Sequence, residues 1–169
     1  ATAYDDSGWT NGPSLLGFDT NLTPPEPIRT PLTVVANKLT FYFRTHFNLP
    51  ANINASELQV THAIDDGAVF YLNGVEAGRF NMPAGEILFT TQAAGSHEAT
   101  ALETITISRN SLVAGDNVLA VEVHQSGLNS SDIVFGLRLD AVIVTNTPGL
   151  AGVVINEVLA NNANIAEAD

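Results

Sequence analysis

Apolar and polar residues alternate with a period of two in the segment from Leu39 to Leu49. The apolar positions are Leu39, Phe41, Phe43, Phe47 and Leu49, and the polar positions are Thr40, Tyr42, Arg44, His46 and Asn48. This alternation is typical of an antiparallel strand with one buried face. No window of a dozen residues keeps a 3.6-residue period between helix caps, so we expect helix in under about a tenth of the chain.

A hairpin is predicted where Asn73-Gly74 separates the apolar run 68–72 from the strand 75–80. Both turn residues accept the positive φ of a two-residue type I′ turn. Alternating segments also predict strands at 58–64, 103–108, 118–125 and 133–144. Eight or so strands joined by turns indicate a β-sandwich. Its predicted core is Phe41, Phe43, Val60, Val69, Phe70 or Tyr71, Val121, Phe135 and Leu137.

The charge balance and the absence of cysteine exclude several classes of function. Six Lys and Arg against 18 Asp and Glu give a net charge of −12, whereas binding to nucleic acid or to an anionic membrane needs clustered cations. The chain has no cysteine, so disulfides, thiolate metal sites and cysteine nucleophiles are ruled out. No apolar run approaches the ~20 residues of a membrane-spanning helix, and we expect no membrane insertion.

No motif of a known catalytic class is present. The four histidines, His46, His62, His97 and His124, follow no metalloprotease spacing, and the sequence contains no nucleophile elbow or phosphate-binding loop. We therefore expect that the domain is not an enzyme by itself. His62 is in phase with the apolar residues of its strand, which predicts a buried, hydrogen-bonded side chain, and His46 is expected to be exposed.

Two segments resemble the galactose-binding-like jelly-roll domains. Residues 65–74 read DDGAVFYLNG, and residues 115–123 read GDNVLAVEV. In that family such segments form two central strands and their turns, and residues 5–9 (DDSGW) and 43–45 (FRT) resemble the same domains. The resemblance spans about residues 1–144. It implies an antiparallel jelly-roll β-sandwich that serves as a carbohydrate-binding module, or as a sugar-binding domain of a glycosidase, in a secreted bacterial protein.

Two interpretations of the function stay open. In the first, the loop rim of the sandwich binds a glycan through some of Asp65, Asp66, Arg79, His124, Gln125 and Asn129. In the second, the module is a structural spacer or a protein-contact domain without a glycan ligand. The second gains from the scarcity of aromatic platforms, because Tyr4, Trp9, Tyr42 and Tyr71 are not clustered in sequence. Trp9 is predicted to plug the end of the sandwich.

Calcium is the cofactor to consider, because carboxylate oxygens are abundant and calcium prefers oxygen ligands. Modules of the resembled family often carry a structural ion that links the N-terminal segment to the last strand. That resemblance implies a site among Asp5, Asp6, Asp19 and Asp140. No calcium-loop motif is present, and unpaired surface carboxylates are the alternative interpretation.

The C-terminal segment is expected to lie outside the sandwich. Residues 145–149 form a Pro/Gly break, and residues 153–162 (VVINEVLANN) resemble the first strand of a lamin-tail-like domain. The predicted organisation is a jelly roll at 1–145, a linker at 146–152 and a truncated second domain at 153–169. Other domains of the same parent chain are then expected partners, and the segment is expected to be poorly ordered or to dock as an added strand.

Overall fold

The fold is all-β, as predicted from the sequence. It is described here from a computed structural model that covers residues 4–20, 24–33, 37–144, 153–158 and 164–166, the last two ranges by their backbone. The strands are β1 (Leu16–Phe18), β2 (Thr30–Pro31), β3 (Thr40–Leu49), β4 (Ala55–Asp65), β5 (Gly67–Leu72), β6 (Val75–Phe80), β7 (Glu103–Ile107), β8 (Gly115–His124), β9 (Ile133–Val144), β10 (Val153–Val158) and β11 (Asn164–Ala166). Among the described residues, no helix is long and apolar enough to cross a membrane.

The strands form two sheets. One has the order β2-β1-β9-β4-β7, with β10 also paired to β9, and the other has the order β11-β3-β8-β5-β6. Every pairing is antiparallel except that of β1 with β2. Two antiparallel-rich sheets that share one core make a β-sandwich, an architecture consistent with the galactose-binding-like fold.

The core lies between the two sheets and draws on alternate residues of their long strands. Phe43 of β3 and Phe135 of β9 stack across it, with ring centroids 3.9 Å apart and an interplanar angle of 19°. The predicted core residues are buried except for Leu137, which is half-buried. Of the two alternatives Phe70 and Tyr71, Phe70 is the one in the core. Tyr71 faces away from the core, since neighbouring strand residues point to opposite faces.

The predicted hairpin joins β5 to β6. Asn73 and Gly74 have φ of 53° and 82°, the positive values of the expected turn. The Asn73 side chain also reaches β8, where its Oδ1 accepts from the Val118 N–H at 2.8 Å and its Nδ2 donates to Asn117 Oδ1 at 2.8 Å. Asn117 is fully buried, and its Nδ2 donates to the Val113 carbonyl at 2.7 Å. The two resemblance segments are therefore joined by their asparagine side chains.

The C-terminal strands pair with the sandwich through their backbones. β10 runs antiparallel to β9 from Val144 to Leu139, and β11 pairs with β3 at Tyr42, Phe43 and Arg44. The predicted linker at 146–152 lies outside the described residues. The domain boundaries and the likeness to a lamin-tail domain stay predictions.

Candidate functional site: an aromatic cleft and an acidic cluster

The outer face of the five-stranded sheet carries a row of tyrosine and carboxylate side chains. Tyr42 of β3 is in register with Glu122 of β8, and Tyr71 of β5 is in register with Ala120, the next outward residue of β8. The odd–even alternation that turns the phenylalanines of β3 inward turns these residues outward. The middle of the sheet thus presents two phenol rings beside one carboxylate.

The N-terminal segment is held against this face by a buried arginine. Arg44 of β3 has a side chain that is only 5% exposed, and its Nε donates to Asp6 Oδ2 at 2.6 Å. The Arg44 guanidinium also lies 5.8 Å from the centroid of the Tyr4 ring. Tyr4 and Trp9 meet edge to face, with centroids 5.6 Å apart. Trp9 therefore lies beside the sheet face rather than plugging the end of the sandwich.

Together these elements enclose a cleft of about 880 Å³, which we call the aromatic cleft. Its lining includes Tyr4, Trp9, Tyr42, Arg44, Tyr71 and Glu122, with Asn11 and Thr30 at its polar edge. Burial raises the pKa of Tyr42, and the Glu122 carboxylate raises it further. Burial, followed by Glu122 and Glu76, raises the pKa of Tyr71 to about 12. Both hydroxyls are therefore protonated at neutral pH and can donate hydrogen bonds.

A second group of polar residues lies where β4 ends. Carboxylate oxygens of Asp65, Glu98 and Asp132 lie within 4.8 Å of one another, and we call these residues the acidic cluster. Burial, followed by the charges of Asp66, Asp132, Glu98 and Asp19, raises the pKa of Asp65 to about 8. The pKa values of Glu98 and Asp132 are also raised, in each case mainly by burial. These three carboxylates could hold a metal ion.

Four of the six residues proposed from sequence for glycan contact are buried. Asp66 Oδ1 accepts from the His97 N–H at 2.8 Å, and its Oδ2 accepts from the Ser126 N–H at 2.7 Å. The His124 side chain is fully buried, with Nδ1 2.8 Å from the Thr91 carbonyl oxygen and Nε2 3.2 Å from Glu122. These two side chains connect loops to the sandwich and offer no free surface to a ligand.

The other four are dispersed. Gln125 is 1% exposed, and Asp65 belongs to the acidic cluster. Arg79 pairs with Glu76 on β6 and donates to two loop carbonyls. Asn129 lies in the exposed loop between β8 and β9. The structure thus gathers Asp65, Asp66 and Gln125 near one end of the sandwich but does not bring all six residues to one surface.

The carboxylates proposed for calcium are not gathered either. Asp5 accepts from the Ser7 N–H at 3.0 Å, and Asp6 is paired with Arg44. Asp140 Oδ2 accepts from Arg138 Nε at 2.9 Å on β9. Asp19 alone lies close enough to the acidic cluster to raise the pKa of its three members.

The predicted burial of His62 and exposure of His46 are found, whereas the predicted hydrogen bond of His62 is not. His62 is 1% exposed, but neither ring nitrogen has a hydrogen-bond partner in the described part of the chain, so the expected hydrogen bond is wrong. The rings of His62 and Phe80 pack edge to face, with centroids 4.4 Å apart. The rings of Phe80 and His97 also pack edge to face, with centroids 4.8 Å apart. His46 is exposed, as predicted, and pairs with Asp116 at 2.9 Å.

Sequence reasoning did not single out Glu98, Asp132 or Glu122. Glu98 lies in the long connection between β6 and β7, where no periodicity fixes its direction. Glu122 carried a usable signal, because it alternates with Val121 and Val123 and so had to face outward beside the outward residues of β3.

Comparison with known proteins finds similar solved structures but no sequence match. No family model matches the chain, and no curated protein matches its sequence. An α-L-rhamnosidase from Streptomyces avermitilis aligns with TM-score 0.47 and 16% identity over 79% of this chain and 11% of its own. A β-D-mannosidase from Dictyoglomus thermophilum aligns with TM-score 0.37 and 11% identity over 78% of this chain and 24% of its own. The Ruminococcus gnavus β-glucuronidase aligns with TM-score 0.36 and 14% identity over 77% of this chain and 29% of its own. The chain thus spans under a third of each of these enzymes.

Proposed function

We propose that this chain is a non-catalytic carbohydrate-binding module of a secreted multidomain protein, and that the glycan binds in the aromatic cleft. The observation that carries the proposal is the gathering of the single tryptophan and all three tyrosines around that one cleft. Flat apolar rings with a polar handle suit the C–H faces and hydroxyls of a sugar ring.

The polar groups of the cleft also suit a glycan. The hydroxyl of Tyr42 can donate to a sugar oxygen, and the Glu122 carboxylate, which also accepts from Tyr71, can accept from a sugar hydroxyl. The cationic group in the lining, Arg44, is engaged with Asp6. This arrangement favours the hydroxyl groups of a neutral sugar over a carboxylate or a phosphate.

The arrangement of carboxylates supports binding rather than hydrolysis. Glycosidases place two carboxyl groups on either side of the scissile bond, about 5–9.5 Å apart. Among the described residues that line the cleft, Glu122 is the single carboxylate. The perturbed carboxyl of Asp65 lies elsewhere, on a residue that is 3% exposed, where a sugar cannot reach it.

The runner-up is a spacer or protein-contact module. It gains from the occupied state of His124 and Asp66, whose polar atoms are bonded within the molecule. Secretion is proposed on composition, since Lys is nearly absent and Thr, Asn and Ser are frequent, which suits secreted bacterial surface proteins.

The test is a glycan screen by array and affinity electrophoresis, with and without calcium, followed by calorimetry on each hit. Trp9→Ala and Tyr42→Ala are each expected to weaken binding about tenfold or more, which is about 1.4 kcal/mol. Phe89→Ala is the matched control, because Phe89 is an aromatic residue that is 70% exposed and outside the cleft lining. Its affinity should equal that of the wild type.

Two outcomes would overturn the proposal. If no glycan shifts the protein in either condition, the spacer interpretation replaces it. If a glycoside or ester is turned over and Glu122→Gln abolishes the turnover, the module is an enzyme. Binding that survives both cleft substitutions would move the site away from the aromatic cleft.

A further inference from the structure

Asp65 is a buried residue whose side chain is surrounded by carboxylates. The residue is 3% exposed, and the charges that act on its side chain are those of other carboxylates. Its nearest charged neighbours are carboxylates, including Glu98 and Asp132. A buried carboxylate that faces like charges is costly unless a cation or a proton compensates it.

Gln125, which is bonded to the backbone of the cluster residue Asp132, adds a buried oxygen without a partner among the described residues. The side chain is 1% exposed, and its Nε2 donates to the backbone carbonyl of Asp132. The side-chain oxygen Oε1 is buried and has no hydrogen-bond partner within the described ranges. Buried side-chain oxygens rarely stay unpaired, so this end of the sandwich has more acceptors than its own donors satisfy.

We propose that Asp65, Glu98 and Asp132 bind a divalent cation and that calcium is the ion the site selects. The three donors are all carboxylate oxygens, the hard ligands that calcium prefers, and calcium tolerates an irregular set completed by carbonyls and water. Zinc is disfavoured, since the nearby His97 has Nδ1 3.0 Å from the Ile64 carbonyl oxygen and Nε2 3.2 Å from Glu103.

The three ligands come from three separate segments. Asp65 ends β4, Glu98 lies in the β6–β7 connection, and Asp132 lies just before β9. An ion held by all three would fix the long connection 81–102 to the sandwich, beside the two backbone hydrogen bonds that Asp66 accepts. The raised pKa of Asp65 agrees with a carboxyl that lacks its counter-ion.

This site differs from the glycan site and does not rest on it. None of the three carboxylates lines the aromatic cleft. The test therefore uses the full chain without any glycan, stripped with a chelator and then titrated with calcium, magnesium or zinc. Heat of binding and the thermal midpoint are the two measurements.

Calcium is expected to bind with a dissociation constant of about 1 mM or tighter. At saturation it should raise the thermal midpoint by several degrees, at roughly 2–4 °C per kcal/mol for a chain of this length. Glu98→Gln and Asp132→Asn should each weaken binding at least about tenfold, because each removes one charged ligand. Both residues are at least partly exposed, so these variants should fold.

Asp116→Asn is the matched control, because Asp116 is an exposed carboxylate that pairs with His46 away from the cluster. It should bind calcium like the wild type. The proposal is wrong if no ion binds up to about 10 mM, or if Glu98→Gln and Asp132→Asn both keep the calcium-induced shift. Tighter binding of zinc than of calcium would overturn the assignment of the ion.

Discussion

The aromatic cleft and the end of β4 differ in whether their polar side chains have partners. In the cleft, Arg44 is paired with Asp6, and Glu122 has His124 as a partner. At the end of β4, the buried His62 ring has no hydrogen-bond partner among the described residues, and the buried Asp65 faces other carboxylates. The charged groups that line the cleft have polar partners before a ligand arrives, whereas the His62 ring at the end of β4 has none among the described residues.

This difference separates two kinds of site. A surface whose charged groups already have partners can bind a neutral ligand through ring faces and hydroxyls. The stability of the ligand-free protein does not depend on that ligand. A region with uncompensated buried groups lowers stability until an ion or a proton supplies what is missing. We therefore expect changes in the cleft to alter affinity and changes near the end of β4 to alter stability, with Arg44 as the exception because it also anchors the N-terminal segment.

The largest expected effect is that of Arg44→Ala. Removing the buried guanidinium leaves Asp6 with the more distant His46 at 3.7 Å and detaches Tyr4 and Trp9 from the sheet face. Breaking a buried ion pair is costly, and we expect a loss of about 2–4 kcal/mol in the free energy of unfolding. Urea denaturation measures it. A loss under about 1 kcal/mol, the range of exposed pairs, would show that the cleft wall is not held by this pair.

The next effect is a pH dependence from His62. Burial lowers its pKa from 6.5 to about 4, with Glu103 opposing the change and His97 adding to it. Between pH 6.5 and 4 the His62 side chain is protonated in the unfolded chain but not in the folded one. The contribution of the neutral, buried His62 to the free energy of unfolding is therefore complete above pH 6.5 and is lost as the pH falls towards 4. Relative to His62→Leu, the wild-type thermal midpoint should fall by about 3 °C or more across that window. Parallel curves would contradict the prediction.

A smaller effect is expected on deleting residues 150–169. The sequence places this segment outside the sandwich, although β10 and β11 pair with β9 and β3. We expect the thermal midpoint to change by less than about 2 °C, which corresponds to under about 1 kcal/mol. A loss of several degrees would show that the segment is integral to the fold, and the predicted domain boundary would be wrong. Calcium binding should be unchanged in either case.

The smallest effect is expected for Arg79→Ala. Arg79 pairs with Glu76 on β6, at side-chain exposures of 23% and 40%, outside both the cleft and the acidic cluster. Partly exposed pairs contribute about 0–1 kcal/mol. The variant should match the wild type in denaturation, calcium binding and glycan binding. A clear loss of glycan affinity would return the site to the loop rim predicted from sequence.

The fold was largely predictable from the sequence because its signals are local. The alternation in β3 and the Asn73-Gly74 turn depend on neighbouring residues, and both are found as expected. The face of each strand residue follows from the same alternation. The least accurate prediction was Leu137, half-buried on β9, where burial depends on the elements packed around it.

The candidate site was predicted less well because its members meet only in three dimensions. Trp9 and Tyr71 are 62 positions apart in the sequence, and the strand pairing, together with the Arg44–Asp6 contact, brings them to one cleft. Asp65 was singled out, but its cluster partner Glu98 lies in a connection without periodicity. Polar side chains at strand ends, such as His124, suit sugar hydroxyls by their chemistry, but their burial cannot be read from composition.

The amide contact between Asn73 and Asn117 joins two positions that are 44 residues apart. Because Asn73 also accepts from the Val118 N–H, next to Asn117, a substitution at either position leaves polar atoms without a partner at the other, and the two are expected to covary among homologous chains. The connection 81–102 lies between them in sequence and takes no part in this contact. The length of this connection, and with it the position of Glu98, can therefore change during evolution. The paired asparagines keep the two strands aligned meanwhile.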